Sequence, residues 1–433
     1  MKYDVVVIGA GHNGLISSIY LARAGLKVLV IEKNYKPGGM ADTGEYKGVK
    51  YSRLSYVLGL MPKRIEEELG LKIPVIDSPL NDVYVTEDNR VLRVWRDRRK
   101  RIEEFRRLGQ DKYEELENII LQFKKIMEDE FLFVTHPPSL EAVKGRIEGT
   151  KLEILLEKTR KVLSEYLDEE FHDLLDYGFM KELPAYIMAY YFSLDWRLVR
   201  GGMGKIGEVL YEKAKSFGVD FILGKEVDEI IFKERVKGVK IKEDGRVVEA
   251  NIVLNATSPV LLSKVTRGEL KVYHPEFRPR WRRSNLILRE LPKLPDYIEK
   301  NPGTLYDLPI GELTIPSLVD ELGGHVITVM GALEDTLEFF PDIKDKIIYA
   351  EEITSDVIER EYNAMFGDMN HMPMLPQFLF DNRPVKGWGY KTPIEGLYIT
   401  GSGTYPGGQV TGIPGRNAAI KILKDLKRPF TSS

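Results

Sequence analysis

Hydrophobic residues between Tyr3 and Lys33 follow two patterns, strand-like at each end and helical in the middle. Asp4–Ile8 and Lys27–Ile31 are rich in valine and isoleucine, which is typical of strands buried on both faces of a sheet. Between them, apolar residues recur at helical spacing, at Leu15, Ile19, Leu21 and Ala22. The pattern predicts a βαβ unit.

Later segments predict two further groups of elements. Strands of a meander are predicted at Val227–Phe232, Val236–Lys242 and Val247–Ala250, with a buried return strand at Asn251–Asn255. A mixed region is predicted from a hairpin at Val83–Val94, helices within Tyr113–Phe131, Lys151–Met180 and Lys344–Phe366, and strands at Asn285–Arg289, Gly311–Pro316 and His325–Leu333. The chain is predicted to close with a strand, Gly396–Thr400, and a helix that begins at Ile413. This order predicts an α/β domain with a second, α+β domain.

Three glycines, Gly9, Gly11 and Gly14, follow the first predicted strand at G-x-G-x-x-G spacing. This spacing allows a tight turn, close approach of the backbone to a pyrophosphate, and packing of the helix on the strand. The helix N-terminus adds N–H donors and the positive end of the helix dipole. Glu32 ends the second strand, where a carboxylate can accept hydrogen bonds from an adenosine ribose. These residues predict a dinucleotide site and favour FAD or NAD over NADP.

A second glycine-rich segment, Gly401–Gly412, lies between the last predicted strand and the last helix. Its backbone and the helix N-terminus can present N–H groups to a ligand, whereas the alternative role is a loop that closes the domain. Gly38 and Gly39 follow soon after Glu32 and allow the backbone to pass close to a cofactor. The second segment favours FAD over NAD, because it provides a site for the flavin end.

Composition and charge exclude several classes of partner and chemistry. The 433 residues carry a formal net charge of −3, which gives no overall attraction to nucleic acid or acidic membranes. Cysteine is absent, which excludes disulfides, thiolate metal sites and dithiol redox chemistry. The basic run Arg96–Arg107 contains acidic residues and leads into a helical pattern, so we interpret it as a solvated helical face. We expect a cytoplasmic protein, since no apolar run is long enough for a membrane span and the first strand leaves no room for a signal peptide; peripheral membrane contact stays open.

With both ends of the chain described, the sequence resembles the phytoene desaturase-like branch of the FAD-dependent amine oxidase and carotenoid desaturase superfamily. Within it, the likeness is closest to the pyridine nucleotide-disulfide oxidoreductase domain-containing proteins. The motifs that carry it are VVVIGAGHNGLISSIYLARAGLKVLVIEK, PGGMADT, YVLGLMP, RGGMGKIGEVLYEKA, FDNRPVKGWGYKTPIEGLYITGSGTYPGG and GIPGRNAA. The chain differs from that pattern at Tyr405, where such proteins usually have histidine.

The resemblance implies non-covalent FAD in a Rossmann-like domain of the glutathione reductase type, with a second α+β substrate domain that contains a mixed sheet and a helical cap. Together with the pattern, it predicts an FAD-binding domain of residues 1–70, 197–260 and 392–433, and a substrate and cap domain of residues 71–196 and 261–391. The residues expected to bind the cofactor are Gly9, Gly11, His12, Asn13, Gly14, Glu32, Lys33, Gly38, Gly39, Met40, Ala41, Val227, Ala256, Gly401, Ser402, Gly408, Gln409, Val410 and Thr411. No metal site is expected.

The expected function is that of an FAD-dependent dehydrogenase or desaturase, which moves hydride from a substrate C–H bond to flavin N5. The family and the aromatic segment Leu183–Trp196 favour an apolar, isoprenoid or lipid-like substrate, although packing in a core is the more common role of such a segment. Tyr56, Trp388 and Tyr390 are weak candidates for catalytic residues in the cavity, since no nucleophile or His–acid pair stands out.

Two alternatives stay open from the sequence. The first is an FAD-dependent amine oxidase, for which Arg383 is the candidate carboxylate-binding residue. The second is a non-catalytic flavoprotein that acts through its helical insertion, residues 96–182. The sequence does not predict the electron acceptor, the direction of turnover or the oligomeric state.

Overall fold

The computed structural model describes residues 2–429. The strands, numbered along the chain, are β1 Lys2–Ile8, β2 Val28–Glu32, β3 Thr43–Tyr46, β4 Val49–Ser52, β5 Leu80–Val85, β6 Val91–Trp95, β7 Asp220–Leu223, β8 Val227–Phe232, β9 Val236–Ile241, β10 Val247–Asn255, β11 Arg282–Leu288, β12 Leu305–Leu308, β13 Gly311–Thr314, β14 His325–Met330, β15 Ile347–Thr354 and β16 Leu397–Ile399. The α-helices are α1 His12–Arg23, α2 Lys63–Leu69, α3 Arg98–Arg107, α4 Tyr113–Ile126, α5 Leu140–Ile147, α6 Thr159–Tyr166, α7 Asp173–Asp176, α8 Ala185–Tyr191, α9 Gly204–Ser216, α10 Leu262–Val265, α11 Asp296–Glu299, α12 Leu333–Phe339, α13 Ser355–Tyr362 and α14 Ile413–Asp425.

The first sheet has the strand order β7-β2-β1-β10-β9-β8, with β16 paired to β10. Strands β1, β2, β7, β10 and β16 run parallel, whereas β8, β9 and β10 form an antiparallel meander. Apolar side chains of β1 and β2, including Val5, Val7, Val28 and Val30, are buried in one cluster with α1, α9 and α14. The arrangement confirms the predicted βαβ unit and the Rossmann-like fold.

The second sheet is mixed and has the strand order β15-β11-β14-β13-β12-β5-β6. Strands β5 and β12 are parallel, and the other neighbours are antiparallel. Alternate residues point to opposite faces of a strand. Leu286, Tyr306, Leu313 and Val329 lie in one buried apolar cluster. The positions between them are mostly polar, so the opposite face of this sheet is suited to a polar ligand.

A helical cap formed by α3 to α8 has a core of its own, which includes Phe105, Leu116 and Phe171. Helix α3 begins after Asp97, whose side chain accepts a hydrogen bond from the N–H of Lys100. Arg101 is buried in this helix and forms a bidentate ion pair with Glu117, at 2.7 and 2.9 Å. The solvated-face interpretation therefore holds for the exposed positions of the basic run but is wrong for Arg101.

The predicted helix at Lys344–Phe366 is wrong in its first half. Strand β15 occupies Ile347–Thr354 and pairs with β11 at the edge of the second sheet, and only Ser355–Tyr362 is α-helical. Backbone pairing with a distant strand decides the conformation there, which helical spacing of apolar residues cannot reveal. In the described part of the chain no helix combines the length and apolar character that crossing a bilayer requires. The domain boundaries stay predictions, and Met1 and residues 430–433 at their ends lie outside the described residues.

Candidate functional site

A cavity of about 1020 Å³ is lined by residues of both large sheets. The loops after β1 and β2 contribute Gly9, Gly11 and Lys33, and the β12–β13 hairpin contributes Asp307 and Glu312. Ligand sites for small molecules usually measure about 300 to 1,000 Å³. The cavity is therefore large enough for a sizeable cofactor together with a second molecule.

The first glycine loop shapes one end of the cavity. Gly9 has a φ of +101°, which favours glycine. A methyl group at Gly14 would lie 2.2 Å from the carbonyl oxygen of Gly9, so only glycine lets α1 pack this closely on the turn. A methyl group at Gly11 would meet nothing nearer than the Cα of Gly39, at 4.0 Å. Gly9 and Gly14 are therefore required by the fold, whereas Gly11 leaves open space beside the cavity.

Helix α1 begins at this loop, and no side chain caps its first turn. His12 and Asn13, the first two residues of the helix, line the cavity. Uncapped N–H groups and the positive end of a helix dipole form a binding site for an anion such as a phosphate. This end of the cavity therefore matches the pyrophosphate site that the sequence predicts.

Glu32 lies at the end of β2 and is buried. Its Oε2 accepts a hydrogen bond from the N–H of Ala10 at 2.7 Å, and its Oε1 accepts one from the N–H of Asn34 at 2.9 Å. Burial raises the pKa of this carboxyl, although the backbone donors oppose the change. A carboxylate has about four acceptor positions, so Glu32 braces the glycine loop and keeps capacity for ribose hydroxyls.

Helix α14, from the far end of the chain, packs directly on α1. The Oδ1 of Asn13 accepts a hydrogen bond from the N–H of Gly415 at 3.1 Å, and the hydroxyl of Ser17 donates to the carbonyl of Gly415 at 2.7 Å. The N–H of Ile413 donates to Thr411 Oγ1 at 3.3 Å, and Pro414 has no N–H. The first-turn donors of α14 are thus used within the protein, so this helix offers a ligand its dipole rather than the free N–H groups expected from the sequence.

Most predicted cofactor residues lie on the wall of the cavity. Those that line it are Gly9, Gly11, His12, Asn13, Glu32, Lys33, Gly39, Met40, Ala41, Val227, Ala256, Gly401, Ser402, Gln409 and Val410. Those outside its wall are Gly14, Gly38, Gly408 and Thr411. Gly38 instead donates its N–H to the carbonyl of Ala10 at 2.8 Å, which holds the two glycine loops together. Direct contact between the predicted residues and the cofactor stays a prediction.

Of the three weak catalytic candidates, only Tyr56 lines the cavity. Trp388 packs against the core of the first sheet. Tyr390 is fully buried, where its hydroxyl donates to the carbonyl of Tyr405 at 2.9 Å and accepts from Asn417 at 2.9 Å. Placing Trp388 and Tyr390 in the cavity was therefore wrong, because packing and hydrogen bonding use both side chains elsewhere.

Arg383 supports the glycine-rich segment from behind. Its guanidinium donates to five backbone carbonyls, at distances of 2.7 to 3.2 Å, which belong to Asn370, Met372, Pro373, Phe378 and Ser402. Burial lowers its pKa to about 10, so it stays charged at neutral pH. Arg383 is not the substrate-carboxylate ligand considered for an amine oxidase, because its donors hold the backbone together.

Two carboxylates face each other on the wall formed by the second sheet. Asp307 of β12 and Glu312 of β13 are directly opposite in the hairpin register, so both side chains point to the same face. Both line the cavity, and within residues 2–429 neither carboxylate has a hydrogen bond or an ion pair. Burial raises the pKa of Glu312 to about 7 and raises that of Asp307 well above its ordinary value, with Asp82 and Asp173 adding to the effect. Among residues 2–429, no cationic side chain pairs with either carboxylate.

Aromatic rings line the same cavity as the acidic pair. The ring of Phe179 meets the rings of Tyr191 and Trp281 edge-on, each at 6.4 Å between centroids. Tyr177, whose pKa burial raises above its usual value, lies in the electrostatic field of Asp307. Aromatic faces and carboxylates both attract ammonium groups. The wall therefore combines an apolar surface with two features that select for positive charge.

Two histidines, His12 and His371, also line the cavity. Burial lowers the pKa of each to about 4. Both rings are therefore neutral at physiological pH and can donate or accept a hydrogen bond but do not add charge. Across the described range, 2–429, no group of His, Asp and Glu residues could hold a metal ion.

The sequence-based search missed the acidic pair and the structural role of Arg383. Strand β12 was not predicted, so the sequence did not indicate that Asp307 pairs across a hairpin with Glu312. The segment Leu305–Thr314 nevertheless contains the signal, because its acids alternate with apolar residues on both sides of a short Pro-containing turn.

Comparison with known proteins agrees with this architecture. A family model described as FAD dependent oxidoreductase matches residues 4–293. Pyridine nucleotide-disulfide oxidoreductase domain-containing protein 2 of Mus musculus is 26% identical, over 98% of this chain and 94% of its own length. A limonene dehydrogenase polypeptide of Castellaniella defragrans is 24% identical, over 98% of this chain and 95% of its own length. The crystal structure of cyclohexylamine oxidase from Brevibacterium oxydans has a TM-score of 0.60 and 17% identity, over 99% of this chain and 100% of that chain. The last likeness is one of fold.

Proposed function

Since the chain belongs to the FAD dependent oxidoreductase family, we propose that it oxidises a C–H bond beside nitrogen in a di- or polyamine. FAD, the cofactor of the family, supplies hydride acceptance at flavin N5 when it is bound. The observation that carries the proposal is the pair Asp307 and Glu312, two cavity carboxylates with no cationic partner among residues 2–429.

The first role of the protein is to hold the cofactor. The open space beside Gly11 and the uncapped start of α1 fit a pyrophosphate. Glu32 has acceptor capacity left for a ribose, and the dipole of α14 favours negative charge near its first turn. The residues present therefore fit FAD with its flavin end toward the Gly401–Gly412 segment.

The second role is to anchor a cation. An ammonium group placed between Asp307 and Glu312 would supply the missing counter-charge and relieve the repulsion between two ionised carboxylates on neighbouring strands. A nitrogen that is held as a cation has no lone pair available, so the carbon beside it cannot release hydride easily. The nitrogen that reacts must therefore be a second, neutral amine, which is why we propose a substrate with at least two nitrogens.

Oxidation of the neutral amine yields an aldehyde and ammonium. Loss of hydride from carbon, with donation of the lone pair of the neutral nitrogen, leaves an iminium ion, and water converts this ion to an aldehyde and ammonium. The aromatic rings of Tyr191, Phe179 and Trp281 exclude water from part of the path and favour the extended chain of the amine.

An apolar, isoprenoid-like substrate is the second candidate. Two observations favour it: the aromatic lining of the cavity and the 24% identity to the limonene dehydrogenase polypeptide over 98% of this chain. This candidate needs both carboxylates to stay protonated, and their raised pKa values would permit that at mildly acidic pH. An apolar substrate gives no reason for the presence of Asp307 and Glu312 in the cavity.

Anaerobic mixing of the FAD-loaded protein with a substrate panel tests the proposal. Putrescine and spermidine should bleach the visible flavin absorbance, butylamine should do so more slowly, and limonene or an acyclic terpene should not. Bleaching by terpenes and not by amines would reverse the order of the two candidates. Bleaching by no compound of either class would contradict both and support the non-catalytic alternative.

A further inference from the structure

A second cavity, of about 370 Å³, shares the Gly401–Gly412 segment with the first cavity. Tyr405 and Thr411 of this segment line the second cavity, whereas Gln409 and Val410 line the first. The segment therefore has one face in each cavity and acts as a wall between them.

Helix α8 completes this wall. Tyr190 lines the second cavity and Tyr191 lines the first, and their rings meet edge-on at 5.3 Å between centroids. The hydroxyl of Tyr190 also lies 3.5 Å from the carbonyl oxygen of Gly408, which ties the helix to the segment. A ligand in the second cavity would thus occupy a site separate from the proposed amine site.

The second cavity is mainly apolar. Its walls come from α4 and the residue after it, from α8 and the residue after it, and from the loop before the last strand, through Phe123, Met127, Ile187, Phe192, Leu379 and Phe380. Its volume is near the lower end of the usual range for small-molecule sites. These walls suit the hydrocarbon body of a small ligand.

Lys124 of α4 is the polar feature of this cavity. Its Nζ donates to the carbonyl of Tyr190 at 3.3 Å, and an ammonium has three N–H donors. Within residues 2–429 it has no ion pair, and burial lowers its pKa to about 8, with Glu128 opposing the change. The cavity therefore holds a half-buried ammonium group with unused donors.

The other ionisable groups around Lys124 do not neutralise it. Lys63, the first residue of α2, and Glu128, just after α4, are exposed and also line the cavity. The tyrosines of the wall stay neutral, because burial raises the pKa of Tyr186 to about 12 and raises that of Tyr190 still further above its usual value. Two lysines and one glutamate leave a net positive charge in the lining.

We propose that this cavity binds an apolar carboxylate, such as a medium-chain fatty acid, with its carboxylate on Lys124 Nζ and its hydrocarbon chain against the cap. Burying an ammonium without an anion is unfavourable, and a carboxylate removes that penalty. An alcohol of equal length would fill the same apolar space but would leave the charge unpaired. The proposal does not depend on the identity of the oxidised substrate.

Calorimetric titration of the FAD-loaded protein with decanoate tests this site. Saturable binding of one decanoate is expected, at least about tenfold tighter than that of decanol, since a charge-assisted hydrogen bond is worth about 1.4 kcal/mol or more. Lys124→Met should remove this preference while decanol binding persists, and Lys124→Arg should restore it. The matched control is Lys125→Met, because Lys125 is exposed, pairs with Asp129 at 2.8 Å and does not line the cavity.

Proton linkage and competition provide two further readouts. Decanoate should raise the pKa of Lys124, so binding at pH 8 should take up protons and should weaken at higher pH. Saturating putrescine should leave decanoate binding in place. Absence of binding, equal affinity for decanoate and decanol, an unaltered preference in Lys124→Met, or displacement by putrescine would each overturn the proposal.

Discussion

Glu312 provides the clearest test of the acidic pair, because its effect on stability has a defined dependence on pH. Burial raises the pKa of its carboxyl from 4.5 to about 7. The folded protein therefore holds the proton more tightly than the unfolded chain. The favourable contribution of this carboxyl is complete below pH 4.5 and is lost as the pH rises toward and through about 7. Glu312→Gln keeps the shape of the protonated side chain and cannot ionise.

The size of the effect follows from the two pKa values. One pKa unit corresponds to about 1.4 kcal/mol, so ionised Glu312 costs the folded state on the order of 3 kcal/mol at pH 8. An unfolding entropy of about 2.1 cal/mol/K per residue gives roughly 0.9 kcal/mol/K for a chain of this length, so Glu312→Gln should raise the Tm by about 3 °C at pH 8. At pH 4 the variant and the natural protein should have the same Tm.

Differential scanning calorimetry of the FAD-loaded protein at several pH values measures this difference. Glu321→Gln is a matched control, because Glu321 is exposed and has no ion pair among residues 2–429. Putrescine should stabilise the natural protein at pH 8 and should stabilise Glu312→Gln much less. Equal Tm values for Glu312→Gln and the natural protein at pH 8 would refute the reasoning, since they would mean that solvent already compensates the carboxylate.

Three further predictions concern the cofactor end and its support. Gly11→Ala should fold normally, because its methyl group would meet nothing within 4 Å except the Cα of Gly39. It should bind FAD at least about tenfold more weakly in a fluorescence titration. Unchanged affinity for FAD would contradict the pyrophosphate assignment. Gly14→Ala should instead lower the Tm measured by circular dichroism, because its methyl group would lie 2.2 Å from a carbonyl oxygen. Arg383→Met should lower the free energy of unfolding by about 3 kcal/mol or more and release FAD on gel filtration, because five carbonyls lose their donor. Full retention of FAD would contradict the support that Arg383 gives to the Gly401–Gly412 segment.

The cofactor end of the site was predictable because its signals are local in the sequence. Gly9, Gly11 and Gly14 sit between a strand and a helix, and Glu32 ends the next strand, so spacing alone places them together. The packing of α14 on α1 was not predicted, and neither was the use of its first-turn donors. The N–H of Gly415 donates to Asn13, which lies about 400 residues away, and the N–H of Ile413 donates to the nearby Thr411.

The substrate end was less predictable because it depends on tertiary pairing. Asp307 and Glu312 become partners only through the register of the β12–β13 hairpin. Their raised pKa values then arise from burial in a cavity that the tertiary fold creates, which no local pattern records. The strand at Ile347–Thr354 was missed for the same reason, since its partner is β11. Sequence patterns favoured an apolar substrate, whereas the cavity wall favours a cation.

The central claim is that Asp307 and Glu312 hold the substrate cation. Stopped-flow measurement of anaerobic flavin reduction by putrescine tests it most directly, using Asp307→Asn with Glu312→Gln. The matched control is Glu87→Gln with Asp88→Asn, which removes two exposed carboxylates from the rim of the same cavity. We expect the acidic-pair variant to retain full FAD content and to lose at least about 30-fold in the apparent affinity for putrescine, since loss of a buried charge partner costs about 2 kcal/mol or more. Unchanged reduction in that variant, or an equal loss in the rim variant, would contradict the account.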